Sequence, residues 1–366
     1  MKLVMTLLAR NEVDIVDTQL AYHLNAGVDF VIAIDNRSED GTTEILESYA
    51  RDGYLHLIHE PSDELRQAEW VTRMARLAAT DFGGDWVLNT DADEFWWPRG
   101  GSLKDVLSQV PARFGTVRAL LRNFVPRPAG PDSFAERMIV RESPLDSEVL
   151  TPLRVQDKVA HRANPEVSVA MGSHDVSWDG LVDLRGWYPI EVLHFALRSP
   201  EQCARKLAYW LKYWEAQGPE RGLQPGFDAL REGRVDEYYR SLSVSGEELA
   251  PGRTDGSLAL DMRLRDALRA LRKPAGLREP RPREYMLPAE GAPPLEFPQP
   301  SLEDAAAYAA EITVGAARDS VVKVEQRLDR AAGRLSVLER GIWSRLGARA
   351  HRATHRARLP RPLRRA

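Results

Sequence analysis

One cysteine, Cys203, is all that the 366 residues contain. An internal disulfide is therefore excluded, and the composition fits a reducing compartment, with the cytosol as the expected location. No apolar run approaches the roughly 18 residues of a membrane span, so the chain is not expected to cross a bilayer by itself. The first such run, from Leu3 to Ala9, is broken by Thr6 and ended by Arg10 and Glu12 without a small-residue cleavage site. It reads as a first β-strand rather than a signal peptide. Neither sign of charge dominates: the formal net charge of −4 argues against nucleic acid as a partner. What remains, 43% hydrophobic and 28% charged residues, is the composition of a globular protein with one large domain and appendages.

The most informative stretch is Trp86-Val87-Leu88-Asn89-Thr90-Asp91-Ala92-Asp93-Glu94-Phe95-Trp96-Trp97, an apolar strand that runs into three carboxylates within four positions. Like charges so close raise each other's pKa unless a cation sits among them. A hard divalent ion, Mn²⁺ or Mg²⁺, suits oxygen ligands of this kind and keeps positions open for substrate phosphates. The alternative is a solvated acidic turn.

Around this stretch the first half alternates strand and helix. Strands are expected at Leu3 to Ala9, Phe30 to Ile34 and Tyr54 to His59, and helices at Asp14 to Ala26, Glu44 to Arg51 and Glu64 to Thr80. That pattern predicts an α/β fold with a mostly parallel, Rossmann-like sheet covered by helices on both faces. Parallel strands present their carboxyl ends on one side, so Arg10-Asn11-Glu12 and Asp35-Asn36 should share an edge with Asp91 and Asp93. For Asn36 and Asp40, an Asx turn before a Thr42 or Thr43 helix cap competes with a ligand contact.

These residues carry a resemblance. Asp35-Asn36-Arg37-Ser38-Glu39-Asp40-Gly41-Thr42 resembles the D-D-x-S-x-D-G-T signature of family 2 glycosyltransferases with the GT-A fold. Leu7-Leu8-Ala9-Arg10-Asn11-Glu12 and Asp85 to Phe95 are similar to the R-N-E and D-W-x-x-x-x-D-A-D-E-F motifs of the family 2-like subgroup, over residues 1 to 215. Asn36 stands where many members carry a second Asp. The resemblance implies a nucleotide-sugar donor, with Asp91 and Asp93 holding the metal. Arg10, Asn11, Glu12, Asp35, Asn36 and Arg73 are the expected donor-binding residues. It also implies inversion assisted by a carboxylate, for which Asp175 leads, followed by Glu191 and Glu94.

Two further stretches, Gly172-Ser173-His174-Asp175 and Pro189 to Phe195, pair histidine with carboxylate in apolar surroundings, where a satisfied core histidine is an equal alternative. Ser199-Pro200-Glu201-Gln202 opens a helix to about Glu215, with Gln202, Lys206, Tyr209 and Tyr213 along one stripe. His194-Phe195-Ala196-Leu197-Arg198-Ser199 with Lys206 is similar to the subgroup's late H-x-x-x-R-S…K element, which implies that His194 completes the metal site. Arg198 and Lys206 near a helix N-terminus also suit a diphosphate.

The remainder divides into a helical extension at 216–273, a proline-rich linker at 274–300, an amphipathic helix at 301–345 and a basic tail at 346–366. The apolar spacing from Val314 to Ile342 predicts a coiled coil and hence a homo-oligomer. The arginines that follow predict loose attachment to anionic lipid at the inner face of a membrane. The expected activity is transfer of a sugar to a glycan or lipid-linked acceptor. A nucleotidyltransferase is the alternative enzyme, but its Gly-rich phosphate loop has no counterpart, since Leu8 to Glu12 contains no glycine. A non-catalytic scaffold recruited to membranes is the third reading.

Overall fold

The computed structural model describes residues 1–64, 66–142, 157–217, 224–247, 249, 257–274 and 283–313. Residues 1–311 form one compact unit, and the remainder forms a second. The expected seam from Val314 to Ile342 and the arginine tail lie outside the described residues.

The main unit follows the predicted alternation: β1 (Leu3–Ala9), α1 (Val16–Asn25), β2 (Phe30–Asp35), α2 (Thr42–Arg51), β3 (Leu55–His59), α3 (Gln67–Thr80) and β4 (Trp86–Asp91). After β4 come β5 (Glu94–Pro98), α4 (Leu103–Ser108), β6 (Thr116–Asn123), α5 (Phe134–Arg137), β7 (Val140–Glu142) and β8 (Asp157–Arg162). Two-residue strands β9 (Ser168–Val169) and β10 (Val176–Ser177) form a small hairpin, and β11 (Ile190–His194) leads into α6 (Pro200–Gln217). The sheet has eight strands in the order β3-β2-β1-β4-β8-β6-β11-β5. Strands β1 to β4 are parallel, β6 and β11 run the same way, and β8 and β5 oppose them.

Side chains alternate along a strand, and here the alternation builds two cores. Leu3, Met5, Leu7, Val31, Ala33, Trp86 and Leu88 pack with α1 and α2 on one face. Val4, Ile32, Ile34 and Val87 meet Trp70, Val71, Met74, Ala75 and Ala78 of α3 on the other. The mostly parallel sheet with helices on both faces is therefore present. Leu181–Asp183 is irregular: the Asp183 carboxylate accepts from Thr116 and from Arg118, which anchors the segment by side chains.

Only Ala92 and Asp93 join β4 to β5, yet these strands are fourth and eighth in the sheet. The sheet must curl back on itself. That curl brings β5 and β11 against the end of β4.

Residues 283–300, expected as a linker, pack along the domain instead of standing away from it. Tyr285, Leu287 and Phe297 join the first core, Phe297 lies edge-on to Trp97 at 5.0 Å, and Glu284 N–H donates to Asp17 at 2.7 Å. The helix over 302–313 is capped by Ser301 and lays Tyr308 over the Arg99 guanidinium at 3.5 Å.

His23 ties α1 to β5: its Nδ1–H donates to Gln19 O at 2.8 Å and its Nε2 accepts from Trp96 N–H at 3.1 Å. With burial disfavouring the charged ring, its pKa falls from the ordinary 6.5 to about 4. Between those values the unfolded chain binds a proton that the folded chain refuses, so stability is lost as pH falls through this window, by about 3 kcal/mol in all. About 2 kcal/mol of that loss falls between pH 7 and pH 5, and His23→Gln is expected to remove it from the difference between thermal unfolding at those two pH values. The same difference in variant and wild type would sink the assignment.

Candidate active site

The carboxyl ends of β1, β2 and β4 do meet at one edge, as parallel strands require. The loops there are strained: Asn11, Arg37 and Ser173, which carry φ of 57° without being glycine, all lie in segments around this edge. Asp35 accepts from Ser38 N–H at 3.1 Å and from the Thr43 hydroxyl at 2.5 Å, and Asp40, ahead of the Gly41 N-cap of α2, accepts from Thr42 N–H at 3.1 Å. Asn11 bonds Ser38 and Glu39, and the Glu12 N–H donates to Thr42 at 2.8 Å. Asn36 explains why an amide stands there: its Nδ2 donates to the carbonyls of Glu60 and Ser62, at 3.2 and 2.6 Å, which a carboxylate could not do. Its Oδ1 accepts from Arg10 at 3.0 Å and Tyr209 at 3.3 Å. Arg73 pairs with Glu60 at 3.3 Å, behind that loop.

The second half of the site comes from the curl. Register places Glu94, His194 and Asn123 in one row across β5, β11 and β6. Donor atoms of Asp93, Glu94 and His194 lie within 4.8 Å of one another, the one grouping of metal-ligand type among the described residues. Asp93 is only 4% exposed, not solvent-facing as a strand-end residue would be. Its Oδ2 accepts from Lys206 Nζ at 2.7 Å, with His194 Nε2 at 3.7 Å and Arg198 at 3.9 Å. Burial opposes ionisation of Asp93, but Lys206, His194 and Arg198 outweigh it and hold the carboxyl well below its usual range.

Asp91 stands beside this grouping, not in it: Oδ1 accepts from Gln67 at 3.0 Å and Oδ2 from Lys158 at 3.2 Å. Lys158 on β8 is 2% exposed and also lies 2.6 Å from Glu94. Burial lifts the Glu94 carboxyl to about 8 against the pull of Lys158. Burial alone would discharge Lys158, but Asp91 and Glu94 more than offset it and raise its pKa. The repulsion that argued for a divalent ion is thus already balanced by Lys158, Lys206 and Arg198. What still points to an ion is the geometry of His194, whose Nδ1 lies 2.8 Å from Asn123 Oδ1 while Nε2 faces Asp93.

Arg198, buried, ties Phe195 O and the carboxylates of Glu12 and Asp14 together, the last at 2.7 and 3.0 Å. Helix α6 starts on the expected Ser199 cap and its stripe crosses the strand ends: Lys206 reaches Asp93, Tyr209 reaches Asn36 and Arg10, Lys212 pairs with Asp63, and Tyr213 meets Met171.

The carboxylates proposed as general base separate clearly. Asp175 is 63% exposed at its side chain and 3.1 Å from Arg118. Glu191 is not brought to the acidic group: it is buried and enclosed by Arg122, Arg263 and Arg99, at 2.6, 2.7 and 3.5 Å. Lys158, Asn123, Gln67 and Asp14 are site residues that the sequence reading does not name.

No protein-family model and no curated protein matches the chain. Among solved structures it is similar to S. aureus TarS 1-349 in complex with UDP, at 13% identity and a TM-score of 0.31 over 72% of this chain and 97% of that one. It is also similar to glucosyl-3-phosphoglycerate synthase from Mycobacterium tuberculosis in complex with Mn²⁺, UDP and glucosyl-3-phosphoglycerate, at 20% identity and a TM-score of 0.22 over 35% of this chain and 44% of that one. Similarity at that level leaves function to be argued from the site itself.

Proposed function

We propose that the chain is a metal-dependent glycosyltransferase of the GT-A type, moving a sugar from a nucleotide-sugar donor to an acceptor hydroxyl with inversion. The observation that carries this reading is the Asp93–Glu94–His194 grouping at the same sheet edge as the Arg10-Asn11-Glu12 and Asp35-Asn36 loops. Two carboxylate oxygens and an imidazole nitrogen fit Mn²⁺ better than Mg²⁺, which prefers oxygen alone. Asp93, Glu94 and His194 would hold the ion, with Asp91 beside them. When bound, the ion supplies Lewis-acid neutralisation of the charge that develops on a leaving diphosphate.

The chain's own groups do the rest. Lys206 and Arg198 face Asp93 and add positive charge where the diphosphate would lie. Arg10, Asn11, Glu12, Asp35 and Arg73 bound the nucleoside side, and Asn36 shapes it by holding the Glu60 and Ser62 carbonyls. Asp175 is the accessible carboxylate at the rim and takes the acceptor proton; Glu94 is second, because it is buried and engaged by Lys158. The acceptor belongs to glycan or glycolipid synthesis. Self-association through 301–345 and attachment of the basic tail to anionic lipid complete the proposal; among the described residues no helix is long and apolar enough to cross a membrane.

The test is a thermal-shift screen of UDP-, GDP- and dTDP-sugars with and without Mn²⁺. A donor at 100 times its Kd should stabilise the fold by about 2.7 kcal/mol, and only with the metal present. No shift with any donor, or equal shifts without metal, would overturn the reading.

A further inference from the structure

We propose that Asn123 is a positioning residue that fixes the tautomer and ring orientation of His194, and that Glu142 fixes Asn123 in turn. The inference rests on the metal role proposed for His194 and extends it to residues outside the sequence motifs. Asn123 ends β6 and is the register partner of His194 on β11. Its Oδ1 lies 2.8 Å from His194 Nδ1, while its Nδ2 donates to Glu142 Oε2 at 3.4 Å.

Direction in this chain follows from which atoms can donate. A carboxylate only accepts, so Glu142 draws the NH₂ end of the amide toward itself. The Oδ1 end is then left for the imidazole, and it can only accept. His194 must therefore carry a proton on Nδ1, and in the neutral ring that a metal requires, the Nε2 lone pair points at Asp93, 3.7 Å away. An imidazole with the opposite tautomer would aim an N–H into the grouping and could not ligate there. Glu142 is itself held in place, since β7 pairs with β12 (Leu258–Leu260) and Glu142 is opposite Leu258. Outer partners of this kind orient ligands, and their loss typically weakens a metal site 10- to 100-fold.

The test uses the full chain and Mn²⁺ alone, with two readouts: calorimetric Mn²⁺ affinity, and the ¹⁵N shifts of the metal-free His194 ring, assigned with His194→Ala. Wild type should show the Nδ1–H tautomer. Asn123→Ala should give a mixture and bind Mn²⁺ about 10- to 100-fold more weakly. Glu142→Gln lets the Asn123 amide turn over, and should shift the tautomer toward Nε2–H with a similar loss. The double variant Asn123→Asp with Glu142→Gln rebuilds the chain with an acceptor facing His194 and a donor behind it, and should recover the affinity that Glu142→Gln loses. A merely structural role predicts additive losses and an unchanged tautomer.

Wild-type affinity in Asn123→Ala, or a double variant no better than Glu142→Gln, would overturn the positioning role while leaving the metal role of His194 intact. A wild-type chain that keeps its tautomer but binds no Mn²⁺ would overturn the metal reading, and this inference with it.

Discussion

Glu191→Gln is expected to cost about 3–5 kcal/mol of stability, because removing one member of a buried ion pair leaves its partners charged and unpaired. Glu191 is 1% exposed, and its two oxygens serve Arg122, Arg263 and Arg99. Those arginines, with Arg141 near them, hold its carboxyl far below the usual range although burial opposes ionisation. Arg122 is already short of partners: among the described residues its Nη1 has no hydrogen-bond partner, and beyond Glu191 it pairs with Glu311, at 2.6 Å. Glutamine has the same shape, so the loss reports charge and not volume. Urea unfolding measures it directly. If the variant unfolds like the wild type but transfers sugar far more slowly, Glu191 is the chemical base after all, and its assignment to the arginine cluster fails.

The largest effect on activity should come from Asp93→Asn. If Asp93 is a ligand of the proposed ion, several kcal/mol of transition-state stabilisation are at stake; a loss of about 4 kcal/mol corresponds to about a thousandfold in rate. Stability should also fall modestly, since Lys206 at 2.7 Å and Arg198 at 3.9 Å lose the anion they face. Single-turnover transfer at saturating Mn²⁺, beside circular dichroism of the same sample, separates the two effects. Near-full transfer by the variant would mean that the ion and the donor bind elsewhere.

Much of this arrangement was legible before any coordinates. Apolar strands at Leu3, Phe30 and Trp86 with helical stretches between them require a parallel sheet, and a parallel sheet collects Arg10, Asp35 and Asp91 at one edge. Asn123 follows from the same rule, as a polar residue closing the apolar run from Thr116. It could have been named with them. Lys158 could not, because a single lysine in a short strand has no periodic signature and its burial depends on Asp91 and Glu94, more than 60 positions away. The strands β5 and β11 carry no such signal, because aromatic and charged residues in five-residue segments obscure alternation; only the sheet's curl pairs them. Proline content similarly suggested a spacer at 274–300, whereas Tyr285, Leu287 and Phe297 act as anchors that composition does not reveal.

Lys158, Lys206 and Arg198 have a consequence for how such a protein is made. Many small metal sites are unfolded until loaded, since their ligands repel one another in the empty state. Here the chain brings three cations of its own to Asp91, Asp93 and Glu94, so the fold does not need a divalent ion to offset these carboxylates. The ammonium groups act as placeholders. Binding of the proposed ion is then an exchange of one kind of positive charge for another.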